Sequence, residues 1–474
     1  MSNEKICLGY DIMGPRGPIP NCLNPKFLNT IYEASDWYFE TSMQYWQERF
    51  NYNWPVYNSN FYRGYAKVKS LYHIIEDRKS GNSYDWYYII EPFGSLWDFL
   101  HPRRTAKKNS YEFISKRAIN EINNHSGKLL ISFVIDGGYF ITKKTFLNLK
   151  AFLSKNKISE DKVYLVFNDA LLEKSLKSIN LNVNFYNHNM PLFTKSEEFN
   201  NVLANPNFDY WSGSNEPQVG KLYGKKSTIL LYDEFKNNIK SEKKDFLVFS
   251  RHWNLQRLLL ISKLKKLGLD NSLVSWNKKE YSPALAEEFL KIDGDKELLN
   301  LMSTTNSVLD IDDITKIAGY GFETKNLYLE TYMSIVTESL FFQGTNIHGI
   351  SDPINEITPE FISGYLSEKI WKPIGHSHPF IFVGPPKILS FIRNEYGFKT
   401  FGEYIDESYD DEMDDWKRWD KLKKLITDFA NKTIEQKQKF LSDVASILEY
   451  NQKLFLKMAF DKHKYEQKIR EFLK

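Results

Sequence analysis

Apolar residues along this chain fall into two rhythms. In the first, short continuous runs are closed by Asp, Asn or Gly: Leu129-Leu130-Ile131-Ser132-Phe133-Val134-Ile135 ends in Asp136-Gly137-Gly138, and Val163-Tyr164-Leu165-Val166-Phe167 ends in Asn168-Asp169. Helical stretches such as Lys144 to Leu153 separate them. Runs of this length predict strands covered on both faces, the signature of a parallel sheet. The first half of the chain, to about Tyr223, is therefore expected to be α/β. Its opening hundred residues are rich in Tyr and Trp, carry a Gly14-Pro15-Arg16-Gly17-Pro18 loop and show little periodicity, so they predict no function.

Between Lys225 and Lys244 the composition turns polar and lysine-rich apart from Ile229-Leu230-Leu231, which marks an interdomain boundary. A second alternation follows: strand Phe246 to Phe249, helix Leu255 to Leu267 stopped by Gly268, strand Ser272 to Trp276 and strand Tyr332 to Val336. A short helical pattern opened by Tyr365-Leu366-Ser367-Glu368-Lys369 then leads to strand Phe380 to Val383 and a Gly384-Pro385-Pro386 turn. This order predicts a doubly wound sheet whose ligand crevice lies just after Phe249, Val336 and Val383.

The second rhythm is the helical one of the tail, Trp416 to Lys474. Leu422, Leu425, Ile426 and Phe429, and later Val444, Ile447, Leu448, Leu454, Phe455 and Met458, make an apolar face. No heptad is sustained, so packing back across the first domain is expected over a coiled-coil dimer arm. The divisions are residues 1–235, 236–415 and 416–474, with no internal repeat of solenoid length.

The length of 474 residues suits two or three domains. Hydrophobic residues at 42% and aromatics at 16% supply core material and argue against disorder. A net charge of +3 falls short of the balance of a dedicated nucleic-acid binder. Cys7 and Cys22 stand alone, which excludes a disulfide framework or multi-cysteine zinc site and points to a reducing compartment. Met1-Ser2-Asn3-Glu4-Lys5 begins no signal-peptide pattern, and no apolar run approaches the roughly 18 residues of a membrane span. A soluble, cytoplasmic protein is expected.

The predicted crevice collects charged candidates. A helix N-terminus offers unpaired N–H groups and partial positive charge, so Lys369 in a first turn makes a seat for a diphosphate. Glu368 beside it accepts hydrogen bonds from the vicinal hydroxyls of a ribose or hexose, and together they suit a nucleotide-sugar. The alternative is an exposed Glu-Lys pair. After the strand ending at Phe249 comes Ser250-Arg251-His252-Trp253, with Arg257 in the next helix. Arg251 and Arg257 present guanidinium forks for phosphate oxygens, or Arg257 salts a solvent face. Glu338, after Val336-Thr337 and before Ser339, is placed to accept from donor-sugar hydroxyls or to cap a helix near Thr337. His376 and His378 have a spacing that metals use but no third ligand nearby, so no metal is expected. The acidic run Asp406 to Glu412 has a metal-like composition, but such loops are usually solvated.

Tyr365-x-x-Glu368-Lys369, preceded by Thr337-Glu338-Ser339 and by the strand with Ser250 and downstream Arg257, resembles the donor-binding half of the α1,3-fucosyltransferase family. Ser367 stands where the family motif has Thr. The similarity covers about Phe246 to Phe401, and the stretch from Trp371 to Phe401 is similar to a divergent branch associated with viral and marine microbial sugar transferases. It implies an α/β chain of GT-B fold: two Rossmann-like domains facing a central cleft, with the long C-terminal helical segment packing back on the first. It further implies an inverting, metal-independent glycosyltransferase. Tyr365, Ser367, Glu368 and Lys369 would contact the nucleotide-diphosphate sugar, a GDP-sugar being favoured, with Glu368 on the ribose and Lys369 on the diphosphate. Ser250, Arg251 and Arg257 would join them at the diphosphate, and Glu338 and Ser339 near the sugar.

Inversion needs a base for the acceptor hydroxyl, which in this family comes from the first domain. Asp136, followed by two glycines, is the first choice and Asp169 the reserve; each alternatively closes a turn or caps a helix. No permanently bound cofactor is implied. A glycan or glycolipid acceptor is expected. A DNA-modifying transferase, using Arg103-Arg104-Thr105-Ala106-Lys107-Lys108 on phosphates, is the alternative. A non-catalytic nucleotide-sugar-binding module is the third reading.

Overall fold

The structure, a computed structural model, describes residues 6–10, 13–14, 17–18, 66–82, 84–90, 114–133, 143–167, 169–187, 230–250, 253–276, 282–305, 325–343, 364, 366–460, 468 and 471–473. It is mixed α/β, with two parallel sheets and two separate hydrophobic cores.

The first sheet is built from β1 (Ile6–Tyr10), β4 (Ala66–Ser70), β5 (Trp86–Ile90), β6 (Gly127–Phe133), β7 (Val163–Phe167) and β8 (Asn184–Asn187). A small antiparallel pair, β2 (Met13–Gly14) and β3 (Gly17–Pro18), follows β1. The six strands lie parallel in the order β4-β1-β5-β6-β7-β8. Parallel neighbours require long crossovers, and the helices α1 (Leu71–Lys79), α2 (Lys116–Asn124), α3 (Lys143–Lys155) and α4 (Leu172–Ser178) lie in these connections. The predicted strand Val163 to Phe167 is found with those bounds, whereas β6 begins two residues before its apolar run.

The second sheet contains β9 (Lys244–Ser250), β10 (Ser272–Trp276), β11 (Thr331–Thr337) and β12 (Phe380–Val383), parallel in the order β10-β9-β11-β12. Every residue of β10, β11 and β12 is buried, which explains why these strands read as unbroken apolar runs. Before it lies α5 (Tyr232–Asn237), and within its connections lie α6 (Leu255–Lys266), α7 (Pro283–Ile292), α8 (Lys296–Thr304), α9 (Lys325–Leu329) and α10 (Glu368–Gly375); the short α11 (Ile388–Phe391) comes after β12. From β9 the chain goes out to β10, returns past β9 to β11 and continues to β12. The order therefore reverses between β9 and β11, where open α/β sheets leave a crevice beyond the strand ends.

The tail corrects an expectation. Its helices α12 (Asp415–Ala430), α13 (Ile434–Asp443) and α14 (Ala445–Phe460) bury Trp419, Leu422, Ile426, Phe429, Leu441 and Phe455 in the core of the second sheet. The Phe429 ring lies 5.6 Å from that of Phe246, and the Lys437 ammonium pairs with the Asp245 carboxylate. Among the described residues of the tail, those near its end reach the first sheet. There the Tyr87 hydroxyl donates to the Leu473 carbonyl, and the Phe472 ring sits 5.3 Å from Tyr164 and 5.4 Å from Tyr186. An apolar stripe declares that a helix has a buried face, not which surface receives it. No helix among the described residues is long and apolar enough to cross a membrane.

His376 and His378 are core residues. The Leu230 N–H donates to His376 Nδ1 at 3.0 Å, and the His376 ring stacks on Tyr328 at 4.0 Å. His378 Nδ1 lies 2.9 Å from Ser334 Oγ, and its Nε2 lies 3.0 Å from the Thr331 carbonyl oxygen, which only accepts, so Nε2 carries a proton. Burial pushes both rings to titrate below the usual histidine range, His378 from 6.5 down to about 3. The unfolded chain takes up these protons near pH 6.5 and the folded one does not. The contribution of these rings to stability is thus full above that pH and is lost below it, as the unfolded chain alone gains the protons. In urea unfolding at pH 6, 5 and 4, the difference in unfolding free energy between the wild type and His378→Asn is expected to shrink as pH falls, by about 1.4 kcal/mol per pH unit, the linkage of one proton.

Candidate functional site

The carboxyl ends of β9 and β11 and the start of α10 meet at the reversal in strand order. Ser367 is extended (φ −107°, ψ −177°) and caps α10, its Oγ accepting from the Lys369 N–H at 3.3 Å. Ile370, Trp371 and Ile374 anchor the helix in the core, which fixes where its first turn points.

Glu338, directly after β11, is 0% exposed. The Ser367 N–H donates to its Oε1 at 3.0 Å, and the Ser367 hydroxyl lies 2.7 Å from Oε1 and 2.8 Å from Oε2. Lys369 Nζ donates to Glu338 Oε2 at 3.2 Å and to Ser367 Oγ at 3.0 Å, while its side chain stays 29% exposed. The chemistry follows from this difference in burial. The carboxylate is engaged inside the protein and aims the ammonium, whose partial exposure presents positive charge at a helix N-terminus. Glu338 is thus bound to the start of α10, not to a cap beside Thr337.

Arg257 is 3% exposed, which rules out the solvent-face alternative. Its Nε donates to Thr337 Oγ1 at 3.2 Å and its Nη2 to the Thr337 carbonyl at 3.1 Å; Thr337 Oγ1 in turn donates to the Phe249 carbonyl at 3.3 Å. These bonds tie the ends of β9 and β11 together as a floor. Asn254 caps α6 by accepting from the Arg257 N–H at 3.1 Å, and Gln256 Nε2 donates to the carbonyls of Glu338 at 3.1 Å and Ser339 at 3.0 Å. Ser339 therefore contributes its backbone here. Ser250, the last residue of β9, is buried, and its hydroxyl has no hydrogen-bond partner among the described residues.

Sequence reasoning missed Thr337, Gln256 and Lys372, whose Nζ lies 5.9 Å from the centre of the Phe249 ring. An Asn before an apolar helical run announces α6, and hence the turn that carries Gln256 and Arg257. Nothing local announces Lys372.

Asp169, the reserve base, is 0% exposed. Its Oδ1 accepts from the Leu171 N–H and from the Gly364 N–H, each at 2.9 Å, so this carboxylate closes its turn, as the alternative reading has it. Asp136, Arg251 and Tyr365, the side chain of Glu368, and the basic cluster Arg103 to Lys108 lie outside the described residues. The acidic run 406–412 is not merely solvated. Asp410 accepts from the N–H groups of Leu389 and Ser390, each at 2.9 Å, and Glu407 from the Thr400 hydroxyl at 2.7 Å and the Phe401 N–H at 2.8 Å. Among the described residues no group of three His, Cys, Asp or Glu side chains is placed to hold a metal ion.

No protein-family model, curated protein or solved structure matches this chain.

Removing the Glu338 carboxylate leaves the Ser367 N–H and hydroxyl without their acceptor and the ammonium without its counter-charge. Glu338→Ala is expected to lower unfolding free energy by about 3 kcal/mol in urea titration, and Ser339→Ala by less than about 0.5 kcal/mol.

Proposed function

We propose that this chain is a glycosyltransferase of GT-B architecture that moves a sugar from a nucleoside-diphosphate donor to the hydroxyl of a glycan or glycolipid. One observation carries the reading: the Lys369 ammonium, held by Glu338 and Ser367, stands at the N-terminus of α10 beside the strand ends where the sheet order reverses. The site's chemistry suits a leaving diphosphate, on which negative charge grows as the anomeric C–O bond breaks.

The steps follow from that charge. The donor's diphosphate binds the Lys369 ammonium at the start of α10, Ser250 and Arg251 join it as ligands in this reading, and the buried Arg257 ties the strand ends together. The acceptor oxygen attacks the anomeric carbon from the face opposite the diphosphate, a new C–O bond forms, and the configuration inverts. The acceptor proton passes to the Asp136 carboxylate, and the nucleoside diphosphate departs. Tyr365 and Glu368 contact the nucleotide, whose base is guanine by resemblance to the fucosyltransferases. Glu338 serves the sugar indirectly, through the geometry that it imposes on Lys369.

Thermal-shift measurements over nucleoside diphosphates and their sugars test the reading. A ligand at 100 times its dissociation constant stabilises by about 2.7 kcal/mol, or roughly 2–4 °C. A shift for one nucleotide class, lost in Lys369→Ala, is expected. Asp136→Asn should keep the shift and lose transfer of radiolabelled sugar. No shift with any nucleoside diphosphate, or one unchanged in Lys369→Ala, refutes the assignment; a shift without transfer identifies a binding module instead.

A further inference from the structure

The two cores are interlocked on both sides of the Glu338, Ser367 and Lys369 cluster. Two residues after Glu338, Leu340 leaves the second sheet and is buried in the core of the first. In exchange Ala170, after β7 of the first sheet, packs against the core of the second. Three residues before Ser367, the Gly364 N–H donates to Asp169 Oδ1 at 2.9 Å, and the Gly364 carbonyl accepts from the Ala170 N–H at 2.7 Å. The approach is close. A Cβ on Gly364 would lie 2.7 and 2.8 Å from Leu171 Cγ and Cδ1 and 3.2 Å from Ile388 Cδ1.

We propose that Asp169 is a positioning residue. From the first sheet it clasps the backbone at Gly364 and so fixes the start of the segment that delivers Ser367 and Lys369 to Glu338. The carboxylate suits this role because it is wholly buried and its Oδ1 accepts from both sides of the junction at once, from Leu171 in its own turn and from Gly364 across it. Leaving either N–H without its acceptor in a buried place is costly, so the contact has one favoured geometry. The cluster's geometry then depends on the docking of the two sheets, and the donor site senses the half of the molecule that would hold the acceptor. This functional consequence rests on the reading of the site proposed above; the clasp itself does not.

Hydrogen exchange on the full chain without ligand tests the clasp. In Asp169→Ala the amides of residues 364–370 are expected to exchange about tenfold faster while those of β11 keep their wild-type rates. Asp169→Asn, which retains the acceptor oxygen and the shape, should keep most of the protection. Gly364→Ala should mimic Asp169→Ala, and Leu171→Ala in the same chain should restore protection by removing the clashing carbons. Unchanged exchange in Asp169→Ala, or acceleration spread evenly over both sheets, overturns the proposal.

With a nucleoside diphosphate sugar as substrate, Asp169→Ala should raise the donor KM about tenfold and lower kcat less than threefold, a split that general destabilisation does not produce. Wild-type donor KM in Asp169→Ala, beside loss of binding in Lys369→Ala, refutes the functional consequence while the site reading stands. Should the wild-type chain bind no nucleoside diphosphate, the site reading fails and the exchange result alone decides the clasp.

Discussion

Glu338 carries a carboxylate to a place that water does not reach, and much of the surrounding structure answers the need to keep that charge paired. Taking one carboxylate out of water costs several kcal/mol unless hydrogen bonds and an opposite charge replace the lost hydration. Here the replacement comes from Ser367 and Lys369, both at the start of α10. The same hydroxyl that meets the carboxylate caps the helix, so charge pairing and helix initiation are a single event. A buried anion at the end of a central strand thereby decides where a helix begins and where its first cation stands.

That arrangement needs two strand ends at a common edge, which the parallel register supplies. Pairing of Ser334 with Leu247 and of Ile335 with Val248 brings the ends of β11 and β9 together, and the fork of Arg257 on Thr337 closes the small gap between them. The crossover out to β10 and back places the reversal of strand order at this edge. The first sheet then contributes from outside, through the turn at Asp169 and through the apolar exchange of Leu340 and Ala170. The cluster therefore draws on three elements distant in sequence and on both cores.

Carboxylates elsewhere serve the backbone in the same way. Asp410 and Glu407 accept from backbone N–H groups that their loops would otherwise leave unpaired, and burial pushes both above the usual carboxylate range. Asp245 pairs with Lys437 and pins α13 to the base of the second sheet. Each is indistinguishable in the sequence from an acidic side chain at a binding site, because composition records the group and not its solvent exposure.

Much of the architecture was nevertheless written locally. Buried parallel strands must be apolar on both faces, so β7, β10 and β12 could be bounded to the residue from their runs alone, and the helix after β9 to within one residue from its apolar residues and the glycine at its end. The first strands were hidden because aromatic residues serve cores and loops alike. The charged residues at the reversal of the second sheet were legible as a group, since the alternation of strands and helices locates the strand ends and charged side chains stand directly after them. Tertiary structure alone decided what those groups do. It buried Glu338 and left Lys369 part-exposed, set the Asp169 carboxylate on the N–H groups of Leu171 and Gly364, sent the tail helices to the second sheet, and drew two histidines into a core. The reason is physical: periodicity is a property of neighbours along the chain, whereas desolvation and charge pairing depend on neighbours in space.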